Sequence, residues 1–258
     1  MNTSKYIPYE IVSGIILENV NYPEFPFLSG TGFFAYFPPH EDIFFITARH
    51  CMVDGEGKLK GNIKIPLHLE GESKEAIPFS HYLETSYRNE PSEKEDIIVC
   101  VVGDVSNENR RLLMKRAIRL QYQDDVDTIL DSIISSKGKI RTVGFPDVSK
   151  SIDYDANQAT FQPRGFHANL VGKGAFKNWY KIEKGNWKES SLNGFSGSPI
   201  LALCQITENE VLAIPIGIFL TTSNFISINV ATDLIENYII EARNANNSFK
   251  TDVVLAQP

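Results

Sequence analysis

Gly194-Phe195-Ser196-Gly197-Ser198-Pro199 sets a serine between two glycines, directly before the apolar run Ile200-Leu201-Ala202-Leu203. Small residues on either side let the backbone turn sharply and bring its N–H groups towards a group reacting at the serine. A serine hydroxyl is a poor nucleophile at neutral pH. It needs an imidazole to take its proton and a carboxylate to hold that imidazole in one tautomer. Both are found upstream. His50 lies in Thr47-Ala48-Arg49-His50-Cys51, after the apolar run Ile43-Phe44-Phe45-Ile46, and Asp96 opens Asp96-Ile97-Ile98-Val99. Asp96 follows His50 by 46 residues and Ser196 follows Asp96 by 100. Alone, a Gly-x-Ser-Gly reads as a glycine-rich turn, and a lone histidine reads as an ordinary surface or core residue. His40, His68, His81 and His167 have no such context and are read that way. Asp104, at the far end of the apolar run that Asp96 opens, is the fallback acid.

Histidine, then aspartate, then serine is the chymotrypsin order; subtilisins and α/β-hydrolases place the same groups differently. The three segments resemble those of the chymotrypsin-like (trypsin-like) serine proteases, which carry Thr-Ala-Ala-His-Cys, Asp-Ile-Ala and Gly-Asp-Ser-Gly-Gly-Pro. Gly30-Thr31-Gly32-Phe33-Phe34 resembles the family's glycine-rich strand, and Gly144-Phe145-Pro146 the Gly-Tyr-Pro of its single-chain bacterial-type branch. The resemblance covers nearly the whole chain. It implies a mainly all-β fold of two six-stranded antiparallel β-barrels, with a helical inter-barrel connector and a C-terminal helix. It also implies a serine endopeptidase working through an acyl-enzyme without metal or organic cofactor. In it His50 is the general base and then acid, Asp96 orients His50, Ser196 attacks, and the N–H groups of Gly194 and Ser196 form the oxyanion hole. The specificity pocket would have Ser190 at its base and Leu220, Thr221 and Thr222 as walls. With no acid at that base, a small or medium neutral side chain is expected in it.

Two departures qualify the resemblance. Arg49 stands where the family has a small residue, which bears on local packing. Phe195 stands where many secreted members carry an aspartate that pairs with a newly cut amino terminus and so orders the oxyanion hole. That switch has no counterpart here, so the site is either preformed in a single chain or ordered by a regulatory protein partner. A rival reading keeps the fold and drops the chemistry, leaving a catalytically silent binding or sensor module.

Composition limits the alternatives. In 258 residues, 42% hydrophobic and 22% charged, there is material for a sizeable core, and wholesale disorder is excluded. The net charge of −7 and the lack of a basic run argue against nucleic acid as a partner. The amino-terminal residues lack the pattern of a signal peptide, and no apolar run reaches bilayer length, so no membrane association is expected. Three cysteines, an odd number without a Cys-x-x-Cys pair, suit a reducing, cytoplasmic setting rather than a disulfide framework or a metal site. Cys51 is expected as a buried thiol.

Along the chain, residues 1–104 are expected as a first barrel holding His50 and Asp96, and 105–138 as a helical connector. Residues 139–230 are expected as a second barrel holding Ser196, and 231–258 as a helix and tail that frays from Asn244. Strands are expected at 10–18, 32–37, 43–47, 62–69, 97–102, 139–145, 158–171, 179–183, 199–205, 211–221 and 225–230. Helix-like spacing is found at 110–120, 126–134 and 231–243. Gly172-Lys173-Gly174 lacks the spacing of a phosphate loop and reads as a hairpin turn.

Overall fold

The computed structural model describes residues 9–19, 21–23, 25–61, 63–67, 76–85, 95–155, 158–188, 191–205, 207, 211–221 and 223–255. The first half contains β1 (Val12–Leu17), β2 (Phe27–Tyr36), β3 (Ile43–Thr47), a one-turn helix α1 (Arg49–Met52), β4 (Ile63–Lys64), β5 (Phe79–Leu83) and β6 (Ile98–Val102). The connector holds α2 (Asn107–Arg116), β7 (Ile118–Arg119) and α3 (Gln123–Ser136). The second half contains β8 (Lys139–Gly144), β9 (Lys150–Asp153), β10 (Gln158–Phe161), β11 (Arg164–Lys173), β12 (Trp179–Lys184), β13 (Pro199–Gln205), β14 (Val211–Thr221) and β15 (Asn224–Ser227), and α4 (Asn229–Leu255) follows.

The second half closes into a barrel in the order β11-β12-β15-β14-β13-β8. The first half runs β4-β1-β2-β3-β6-β5, with β7 added in parallel to β2. Its two ends are joined not by a ladder but by an antiparallel bridge between Pro66 and Ala76 and a bond from Ile77 N–H to Ile65 O. The expected pair of barrels is therefore one closed barrel and one stitched half-barrel. In the first half Phe34 and Phe45, a cross-strand pair, pack together on one face of the sheet, while Phe44 on the other face meets Tyr238 of α4; Phe166, Phe195, Phe219 and Phe225 pack in the second, and all of these phenylalanines are buried.

Several element ends differ from expectation. The strand expected over 158–171 is broken at Gln162-Pro163, because proline supplies no N–H to a ladder. The resulting β9–β10 hairpin stands off the barrel as its own two-stranded sheet. β5 has no clear apolar alternation; Ser80 and His81 are exposed and the strand pairs only with β6. In α2 the Ser106 hydroxyl accepts from Asn109 N–H, which sets the helix start ahead of its apolar periodicity. α4 continues to Leu255, past the expected fraying point. Among the described residues no helix is long and apolar enough to cross a membrane.

Arg116, at the end of α2, is buried and inserts its guanidinium into the first barrel. It donates to Glu10 O, Leu67 O, Val12 O and Ser13 Oγ, and lies 5.5 Å from the Phe34 ring centroid. Burial pulls its pKa down to about 10, so it stays charged at neutral pH. Arg116→Met keeps the volume and orphans these acceptors. Chemical denaturation is expected to show a loss of about 2–4 kcal/mol.

Candidate active site

β3 ends at Thr47, and α1 then carries His50 on the turn whose Cys51 Sγ reaches Ser196 O at 3.4 Å. A single helical turn leaves its carbonyls without intrahelical partners. Here Lys60 supplies them: Nζ donates to His50 O at 2.7 Å and to Cys51 O at 3.4 Å, and Ser29 Oγ donates to Cys51 O at 2.6 Å. Arg49, the departure from the family pattern, forms an ion pair with Glu84 at 3.3 Å.

Asp96 is bonded to α1 at three points. Its Oδ2 lies 2.5 Å from His50 Nδ1, its Oδ1 accepts from His50 N–H at 2.9 Å, and its backbone oxygen accepts from Arg49 N–H at 3.2 Å. Burial pushes the Asp96 carboxyl up, but the hydrogen bonds and charge of His50 outweigh it and hold it below the carboxylate range. The hydrogen bond to Asp96, with Cys51 adding to it, holds His50 well above the usual imidazole value despite desolvation. His50 is thus an imidazolium at neutral pH, its Nδ1–H fixed on Asp96. Asp104 lies beyond the opposite end of β6 and has no bond to His50.

The segment around Ser196 consists of two successive turns, closed by Phe195 N–H to Leu192 O and Ser198 N–H to Phe195 O. Gly194 and Gly197 occupy their third positions at φ +89° and +86°, the left-handed region that favours glycine. Space imposes the same choice. A Cβ on Gly194 would come within 2.2 Å of Phe145 O, and one on Gly197 within 2.0 Å of Thr31 O.

All four carbonyls of this segment are held. Asn193 O accepts from Asp147 N–H, Gly194 O from Thr31 Oγ1, Phe195 O from Ser198 N–H, and Ser196 O from Thr31 N–H and Cys51 Sγ. A peptide's N–H points opposite to its carbonyl. Fixing Asn193 O and Phe195 O therefore fixes the N–H groups of Gly194 and Ser196, and neither donates to a protein acceptor among the described residues. The Phe195 side chain anchors the turn from below. It is fully buried, with ring centroids 5.2 Å from Phe166, 5.2 Å from Trp187 and 6.2 Å from Phe219. Trp187 Nε1 donates in turn to Ser191 O.

The structure thus brings His50 and Asp96 into contact and sets the N–H groups of Gly194 and Ser196 free. Ser196 Oγ donates to Leu220 O at 2.9 Å, and no bond joins it to His50. Leu220 differs from its expected place in the pocket wall: the residue is 1% exposed and belongs to the core, while its backbone oxygen accepts from the Ser196 hydroxyl. Thr221 is exposed at the end of β14. Ser190 and Thr222 lie outside the described residues. Thr31, Lys60 and the backbone N–H of Asp147 were missed by sequence reasoning. Thr31 alone carried a signal, as the polar residue between Gly30 and Gly32.

The double barrel is that of the chymotrypsin-like proteins. Two solved structures with this arrangement are a mutant of human heparin binding protein (CAP37) and GrC, granzyme C. The first matches at a TM-score of 0.56 and 12% identity over 93% of this chain and 94% of that one. The second matches at 0.56 and 13%, over 90% and 96%. No protein-family model and no curated protein matches the sequence.

Two outcomes follow from this geometry. Phe195→Asp would bury a carboxylate among three aromatic rings, and thermal unfolding should show a loss of several kcal/mol. By NMR, His50 should titrate above the ordinary imidazole value near 6.5, and Asp96→Asn should return it towards that value. Because the folded-state pKa is raised, the pair's contribution to stability is fully present below about pH 6.5 and is lost as pH rises through the folded value.

Proposed function

We propose that the chain is a single-chain serine endopeptidase that forms an acyl-enzyme at Ser196. The unclaimed N–H groups of Gly194 and Ser196, locked beside a serine hydroxyl and a paired imidazole and carboxylate, carry this reading. Ser196 Oγ turns from Leu220 O to His50 Nε2 once that nitrogen has lost its proton. His50 takes the hydroxyl proton as Oγ attacks the carbonyl carbon, and Asp96 stabilises the imidazolium that forms. The carbonyl oxygen, now an anion, accepts from the N–H groups of Gly194 and Ser196. His50 Nε2 then passes its proton to the departing amine. Water, activated by the same nitrogen, releases the acid.

The packing of Phe195 supports a hole that stands ready without a cut amino terminus. The three cysteines are free, which fits the expected cytoplasmic setting. Substrates would be proteins or peptides, with a small or medium neutral residue in the pocket.

One observation favours the silent binding module: Ser196 Oγ rests on Leu220 O rather than on His50. Labelling with a fluorophosphonate separates the two. The peptidase reading expects labelling that Ser196→Ala abolishes, and fragments released from a protein mixture. No labelling of the folded chain would favour the module. Asp96→Asn is expected to lower kcat about 10³–10⁴-fold. In the native chain kcat/KM should climb with pH beyond neutrality, since only unprotonated His50 can act as the base.

A further inference from the structure

Arg141, at the middle of β8, is 4% exposed and has no carboxylate partner among the described residues. Among the described residues its one polar contact is from Nη1 to His167 Nε2 at 3.4 Å, and its buried Nε has no acceptor there. A guanidinium can only donate, so His167 Nε2 accepts in that contact and the imidazole is neutral. Buried charges are ordinarily paired, because an unpaired one loses its hydration without replacement. Among the described residues this one lacks a counter-ion.

The register shows what surrounds it. Arg141 stands opposite His167 on β11 and Leu201 on β13, and cross-strand partners share a face. The neighbouring pairs, Ile140 with Ala168 and Thr142 with Phe166, are buried on the inner face, where Phe166 meets Phe195. Arg141 and His167 therefore belong to the outer wall. Lys139 lies on the same face two residues along, opposite Asn169. Glu183, the nearest carboxylate in the register, sits one strand further on, opposite Asn169, and forms no ion pair with the group. Burial, then the charges of Arg141 and Lys139, hold His167 below its ordinary pKa, so the cluster repels protons while it is empty of anions.

We propose that Arg141, His167 and Lys139 form a binding site for a phosphate-class oxyanion on the outer wall of the second barrel. The guanidinium fork donates to two oxygens of the anion. His167 takes up a proton, gives up its contact with Arg141 Nη1, and donates to the anion from Nε2. Lys139 adds charge at the rim. With His167 protonated the three groups carry three positive charges, which suits a dianion better than a monocarboxylate.

The test is an NMR titration of the histidines of the full chain with inorganic phosphate, with His167 assigned through His167→Gln. Phosphate is expected to raise the His167 pKa by about 1, saturably, while His40 and His81 move less. Arg141→Met should abolish the saturable response and Arg141→Lys should restore part of it. Acetate at matched ionic strength should bind at least about tenfold more weakly, a difference of about 1.4 kcal/mol. A His167 that ignores phosphate, or shifts no more than His40 and His81, overturns the site; that reading needs only the unmodified chain. An Arg141→Met variant that responds as the native chain does overturns it as well. Equal binding of acetate overturns the assignment to phosphate.

Discussion

Thr31 is the point on which the site depends. It is a fully buried residue of the first barrel, and it holds the Ser196 segment of the second: its N–H binds Ser196 O and its hydroxyl binds Gly194 O. The same hydroxyl accepts from Phe145 N–H, and its carbonyl accepts from Thr47 Oγ1. The side chain and the two flanking peptide groups of one residue thus lock the end of the histidine strand, the end of β8 and the serine turn together. Each bond is a modest net contribution to stability. Their joint effect is geometric: a shift of the first barrel against the second would pull on the carbonyls of Gly194 and Ser196, the same two residues whose N–H groups are free.

Beneath that clamp, the turn is held by packing rather than by charge. A carboxylate at position 195 would need a cation to keep it buried; a phenyl ring needs only neighbours of the right shape. Phe166, Trp187 and Phe219 supply them in edge-on and tilted arrangements of the kind aromatic pairs favour. Such an anchor has no protonation state and needs no processing event, so the order of the turn is a property of the folded core itself. Lys60 serves His50 in a comparable way, ending a helix too short to satisfy its own carbonyls.

The sequence made the chemistry more legible than the geometry around it. His50, Asp96 and Ser196 stand out because each sits in a short motif and the three motifs come in a fixed order, and Gly194 and Gly197 because their turns tolerate little else. The apolar runs at 43–47, 199–205 and 211–221 gave their strands to the residue, since each is a short apolar stretch bounded by polar or turn residues, the mark of a strand buried on both faces. Leu220 was misjudged because its role belongs to its carbonyl, which every residue has. Thr31, Lys60 and Asp147 act through contacts between segments far apart in sequence, and local pattern does not encode these. Arg141 looks like any strand arginine until the register sets it under His167 with no acid in reach.

The Arg116 guanidinium lies 104 residues downstream of Val12, whose carbonyl it binds. A ribosome delivers the strands of the first barrel well before it delivers this plug. Until the connector emerges, the carbonyls of Glu10, Val12 and Leu67 lack the donor that the finished barrel gives them. The amino-terminal half therefore completes its fold only with help from a helix lying outside its own sheet. Order of synthesis and order of folding part company here: the barrel made first is sealed by what is made after it.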